Sequence, residues 1–273
     1  MFPALSAPAK AAIFYIIAFI LVFAIAASGI FGEASPPVSM LTSLTSVILM
    51  MLVVTREGWS QKGWRSLGLL TTGLRGWWIA ILVPAACLVF SDAVLIMMGL
   101  ASLHNPEGGK SALQMVANIS IGLLISIGLA FCEEIGWRGY MLPRLLGLGA
   151  VSAVFMVGFL HGVWHLPLML MTPYYHPGAN PMILVPLFLV TLTLAGVFFG
   201  FLRLWTGSVW PAAIAHGVYN LVWGLGSKLI TADRPATMEY IGGESGVLVI
   251  AVLIIAAFVL IPKLRAYSQT AFA

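Results

Sequence analysis

Val247-Leu248-Val249-Ile250-Ala251-Val252-Leu253-Ile254-Ile255-Ala256-Ala257-Phe258-Val259-Leu260 runs without one polar side chain. Within the segment 246–264 it is long enough, as a helix, to cross most of a bilayer's hydrocarbon core. Working outward, the same signature recurs at about 11–32, 37–54, 77–99, 113–132, 147–170, 183–204 and 208–229. Across the 273 residues 61% are hydrophobic and 8% charged, against about 25% charged in soluble chains. Mean hydropathy is +1.04. A soluble fold, a disordered chain and a disulfide scaffold are excluded. The expectation is an all-α, polytopic transmembrane helical bundle of about eight spans, forming one integral membrane domain over 1–273.

The net charge of +4 and pI near 9.2 would suggest nucleic acid only if the cations clustered on a soluble face. They lie instead at the ends of apolar runs, where topology signals belong, so no nucleic-acid partner is expected. Cys87 and Cys132 both fall inside apolar segments, which gives a disulfide framework no support. Lys10 precedes an apolar run containing Ala24-Ile25-Ala26-Ala27, but the run is too long for a signal-peptide core and reads as a retained first span. Gly32-Glu33-Ala34-Ser35-Pro36-Pro37 and His176-Pro177-Gly178-Ala179-Asn180-Pro181 are typical breaks. The longest break, 55–76, carries Trp59, Lys62, Trp64, Arg65 and Arg75, which fits a short helix lying in the interface.

With both termini in the cytoplasm, that side holds Lys10, Arg56, Lys62, Arg65, Arg75, Arg138, Arg144, Arg203, Lys263 and Arg265. The other side holds Lys110, Lys228 and Arg234. Ten against three is a clear positive-inside bias, provided the number of spans is even. The expected location is the cytoplasmic membrane of a bacterium.

Ionisable residues inside lipid cost about 2.5–3.5 kcal/mol each on insertion scales, so the few near apolar spans carry the information. Glu133-Glu134-Ile135-Gly136-Trp137-Arg138 closes the fourth span. Glu134 and Arg138 share a helix face at i,i+4, while Glu133 points about 100° away. The plain explanation is an intramembrane ion pair; the chemical one leaves Glu133 as a general base. A 100° error in helix rotation exchanges the two glutamates. His161 and His165 in the fifth span are also i,i+4, but Gly162 stands where an HExxH zinc helix needs its glutamate. His216 and Asn220 in the seventh span form a third such pair. Taken alone, a histidine of the second pair reads as a hydrogen-bonded packing residue, and the third pair as interhelical hydrogen bonding worth about 0.6–2 kcal/mol. Together on three helices they point to a water-filled catalytic cavity. Asp92, the other carboxylate deep in a span, reads as structural or accessory.

The ordered triple of EExxxR, Trp164-His165-Leu166-Pro167 and HxxxN closely resembles the CPBP intramembrane proteases (the CAAX protease and bacteriocin-processing, or Abi, family), which include Ras-converting-type prenyl-protein endopeptidases. The motifs cover about 113–225. The resemblance implies that Glu133 activates the attacking water with His165 assisting, and that Glu134 and Arg138 support it. It further implies that His216 and Asn220 stabilise the oxyanion. The family's second motif is usually FxxxH, and here His161 replaces the aromatic; restoring Phe is expected to leave activity intact. The family is commonly called a metalloprotease family, although its prenyl-processing branch has been argued to work without metal. Glu133, His165 and His216 could hold Zn2+ in an open three-ligand site, or act as a glutamate-type peptidase without one.

The resulting expectation is a membrane-embedded endopeptidase. It would take a CAAX-type prenylated protein or another hydrophobic peptide from the bilayer, and cleave near the cytoplasmic face where Glu133 ends its span. Two other classes compete. A small-solute or proton transporter also uses intramembrane Glu, His and Arg, but no inverted repeat is visible. A non-catalytic scaffold or immunity protein could keep the fold, although every motif residue but the Phe is present. The sequence leaves the oligomeric state, the substrate and its cleavage site open.

Overall fold

The computed structural model describes residues 5–104, 111–173, 176 and 179–267. In order, the elements are α1 (Ala7–Ser28), α2 (Ser35–Leu49), α3 (Gln61–Ser66), α4 (Trp77–Met97), β1 (Ala101–Leu103), α5 (Ala112–Glu134), α6 (Leu142–Leu145), α7 (Ala150–Met171), α8 (Pro181–Thr206), α9 (Trp210–Leu229), β2 (Ile230–Ala232), α10 (Pro235–Thr237) and α11 (Val247–Leu264). The two short strands pair antiparallel, with Ser102 opposite Thr231.

Among the described residues, seven helical stretches are long and apolar enough to cross a membrane, and the chain is an integral membrane protein. The eighth expected span is the helix α9, which falls below the same hydropathy. Its position explains why: Pro211–Val218 are buried in the bundle, and the helix exchanges lipid-facing bulk for Ala, Gly, His216 and Asn220. α9 lies between α4 and α5, α7 packs along α8, α11 backs α8, and α2 joins α1 to α5.

One expected boundary is wrong. The fourth span does not close at 132; its helical path continues through a π-helical turn, Ile135–Met141, and α6. The whole stretch Ala112–Leu148 is 37 residues, about 55 Å if straight at 1.5 Å per residue. The glutamates therefore sit within a long helix, and Ile135–Met141 are all buried. A π-turn changes which face each following residue presents, a feature found often at functional sites.

Small residues set the helix separations. A Cβ on Gly196 would lie 2.6 Å from the Gly158 Cα, so α7 and α8 cross in direct backbone contact. Gly217 plays the same part between α9 and α5, where a Cβ would be 2.6 Å from the Ile127 Cα. Ser126 Oγ donates to the Gly217 carbonyl at 2.8 Å there. Gly207, at φ 70°, ends α8 in the left-handed region that favours glycine and turns the chain into α9. Cys87 and Cys132 are both free thiols.

Candidate active site

The three motif pairs meet. Glu133, His165, His216 and Asn220 line one cavity of about 220 Å³ between α2, α5, α7, α8 and α9. Gly217 brings α9 close enough to α5 for His216 to reach Glu134. Gly162, which broke the zinc-helix pattern, meets Leu189 of α8: a Cβ there would be 3.0 Å from the Leu189 side chain. Its small size serves helix packing.

The two glutamates divide. Glu133 Oε2 faces His161 Nε2 at 2.6 Å and lines the cavity. Glu134 lies behind, where Oε1 accepts from Arg138 NH1 at 2.8 Å and from His216 Nδ1 at 2.9 Å. Arg138 is 1% exposed and Glu134 fully buried, and the guanidinium also stands over the Phe199 ring at 5.1 Å. Glu134 thus orients His216, whereas the resemblance implied support for Glu133. From α2, Ser43 Oγ donates to the Glu133 carbonyl at 3.1 Å.

His161 is the residue to which the sequence reading gave no role beyond its pairing with His165. It is fully buried, stacked on Trp137 at 4.8 Å, and bonded to Glu133. Its Nδ1 lies 3.3 Å from Arg138 NH1. Arginine only donates, so Nδ1 accepts and the proton sits on Nε2, aimed at Glu133. The i,i+4 spacing to His165 was the available signal. His165 Nδ1 lies 3.1 Å from the His161 carbonyl. Glu133, His161 and His165 each bring a potential ligand atom within 4.8 Å of the others. That set differs from the expected Glu133, His165 and His216, because Glu134 takes up His216 Nδ1. Asp92 lies elsewhere, against Gly226 of α9.

Residues 115–222 match the family model of Type II CAAX prenyl endopeptidase Rce1-like proteins. That stretch, 108 of the chain's 273 residues, is similar to the family. It begins in α5, ends in α9, and spans every motif residue from Glu133 to Asn220. That similarity supports a membrane protease, a hydrolase. No relative matches among curated proteins.

The placement of the cavity bears on the expected cleavage face. Its lining runs from Phe199 and His216 toward Pro36 at the start of α2, Leu168 near the end of α7, and Glu244 before α11. That is the end away from the termini, since Lys10 pairs at 2.7 Å with Glu57, which Arg144 also contacts. Cytoplasmic termini and cleavage at the cytoplasmic face therefore do not go together.

His176 stands at this open end. Its Nδ1–H donates to Glu239 at 2.7 Å, and its Nε2–H to Glu244 at 3.2 Å. Burial opposes its charge, but the two carboxylates outweigh burial and push its pKa up to about 10. Of the expected break around it, Pro177 and Gly178 lie outside the described residues.

Proposed function

We propose that the cavity hydrolyses a peptide bond by a water that Glu133 activates. The observation that carries this reading is the separation of the two carboxylates. Glu133 lines the cavity with its Oε2 held by His161, while Glu134 is committed to Arg138 and His216. Glu133 takes a proton from water as its oxygen attacks the scissile carbonyl, then passes that proton to the leaving amine. His165 assists from the same wall. With Nδ1–H donated to Glu134, a protonated His216 offers Nε2–H to the developing oxyanion, and the Asn220 amide supplies a second donor. His161 is a positioning residue that fixes Glu133.

A ligating imidazole nitrogen must be unprotonated, and Arg138 on His161 Nδ1 leaves the proton on Nε2, toward Glu133, which counts against His161 as a ligand. His165, whose Nδ1 faces the His161 carbonyl, would offer Nε2 and with Glu133 would hold a Zn2+ ion, which would lower the pKa of a bound water. The mostly apolar lining fits a hydrophobic or prenylated peptide. Neither alternative class accounts for a carboxylate held by a tautomer-fixed imidazole beside two further donors.

The test is His216→Ala in purified protein with an apolar or farnesylated peptide. An oxyanion donor acts in the transition state, so kcat should fall about 100- to 1,000-fold with KM little changed. A change in KM alone would remove His216 from that role.

A further inference from the structure

The cavity has one closed end and one open end, and the chain's cations mark which is which. At the closed end the segment 55–76 folds over the bundle. Leu67 is fully buried, the Gly68 carbonyl accepts from Val209 N at 3.1 Å, and Arg203 ties the Arg138 carbonyl to that of Ser66 at 3.2 and 3.0 Å. Trp137 and Tyr140, both fully buried, fill the space between this cover and the glutamates. Nothing of that cover lines the cavity.

The cations sit on the covered end. Of the ten counted on the terminal side, Arg138 and Arg203 prove to be buried in the bundle and carry no topological weight. The other eight remain at that end, tied together by contacts such as Lys10 with Glu57, Arg75 with the Trp205 carbonyl, and Lys263 over the Phe201 ring. Burial alone would raise the Glu57 carboxyl, but Lys10 and Arg144 hold it below the ordinary carboxylate range. Among the described residues the open end has Lys228 and Arg234; Lys110 lies outside them. Eight against two still places the covered end in the cytoplasm.

We propose that the cavity opens to the extracytoplasmic face and draws its substrate, an apolar peptide segment, from that side of the membrane. The cytoplasmic termini expected from the sequence are kept, and the cytoplasmic cleavage face is given up. The substrate clause rests on the peptidase reading; the direction of the mouth does not.

Two exposed loop positions report the direction without any need for activity. Glu33→Cys lies in the loop before α2, beside the mouth, and Gln61→Cys lies in the cover. Intact cells are treated with a membrane-impermeant maleimide, with the wild type, which carries Cys87 and Cys132, as blank. The proposal expects labelling of the Glu33 variant in intact cells and of the Gln61 variant only after permeabilisation. The reverse pattern, or labelling of both in intact cells, overturns it. In right-side-out vesicles, an added apolar peptide should be cut equally before and after permeabilisation. Cleavage only after permeabilisation overturns the proposal. No cleavage in either case counts against the peptidase reading, and labelling then decides the direction.

Discussion

His161→Phe separates a hydrogen bond from a packing contact. A phenyl ring keeps the volume and the stacking on Trp137, 4.8 Å away, and it restores the aromatic of the usual family pattern. What is lost is the Nε2–H bond to Glu133 Oε2, 2.6 Å long and fully buried. Hydrogen bonds to charged groups contribute about 1.5–3 kcal/mol. If that energy fixes the carboxylate where water must be activated, its loss at ~1.36 kcal/mol per decade lowers kcat roughly 10- to 150-fold. KM should stay within about twofold, because His161 is walled off behind Glu133. His161→Gln, whose amide can present an N–H at similar reach, should recover most of the loss. The assay is steady-state cleavage of an apolar peptide by purified protein, with thermal unfolding to confirm that each variant is folded. A well-folded His161→Phe enzyme with wild-type kcat would refute the positioning role and leave His161 as an aromatic substitute.

Two further outcomes follow from packing and charge. Gly158→Val places its branch against the Leu192 and Thr193 carbonyls, which a Cβ alone would already approach to 2.8 Å. It should therefore lower the thermal midpoint and the yield of folded protein, whereas an overpacking cost of under about 1 kcal/mol would contradict the direct α7–α8 contact. For His176, a folded pKa of about 10 against the ordinary 6.5 means stabilisation that is complete below pH 6.5 and lost as pH rises through about 10. The wild type should lose thermal stability between pH 8 and 10.5 while His176→Gln changes little over that range; parallel profiles would refute the clasp.

The bundle was legible because lipid leaves few choices: long apolar runs must be helices, and seven stretches bear that out. α9 was found as an apolar run at 208–229 despite a hydropathy weaker than that of the other spans. The partition of Glu133 and Glu134 follows the spacing: Glu134 pairs with Arg138 one turn on, and Glu133, about 100° round the helix, lines the cavity. The π-turn that begins at Ile135 was not legible, because nothing in periodicity marks where a helix adds a residue per turn. His161 was read as a departure from a pattern, since its value comes from Arg138, 23 positions away in sequence, which fixes its tautomer. Ser43 gave no signal at all, because a serine on α2 acquires meaning only where Gly136 lets that helix settle: a Cβ on Gly136 would overlap Ser43 Oγ. The direction proposed for the mouth rests on a helix that runs on past Glu133 to a covered end, a continuation that the expected span boundary at 132 does not contain.

The most direct test compares peptide termini in membranes expressing wild type with those expressing Glu133→Gln at equal levels of folded protein. The glutamine retains an oxygen for His161 Nε2–H, so the site's packing survives and only the base is lost. New termini that arise with the wild type and vanish with the variant are the expected result, and their flanking sequences would identify the substrate. Identical sets of termini from the two membranes would contradict a protease acting through Glu133.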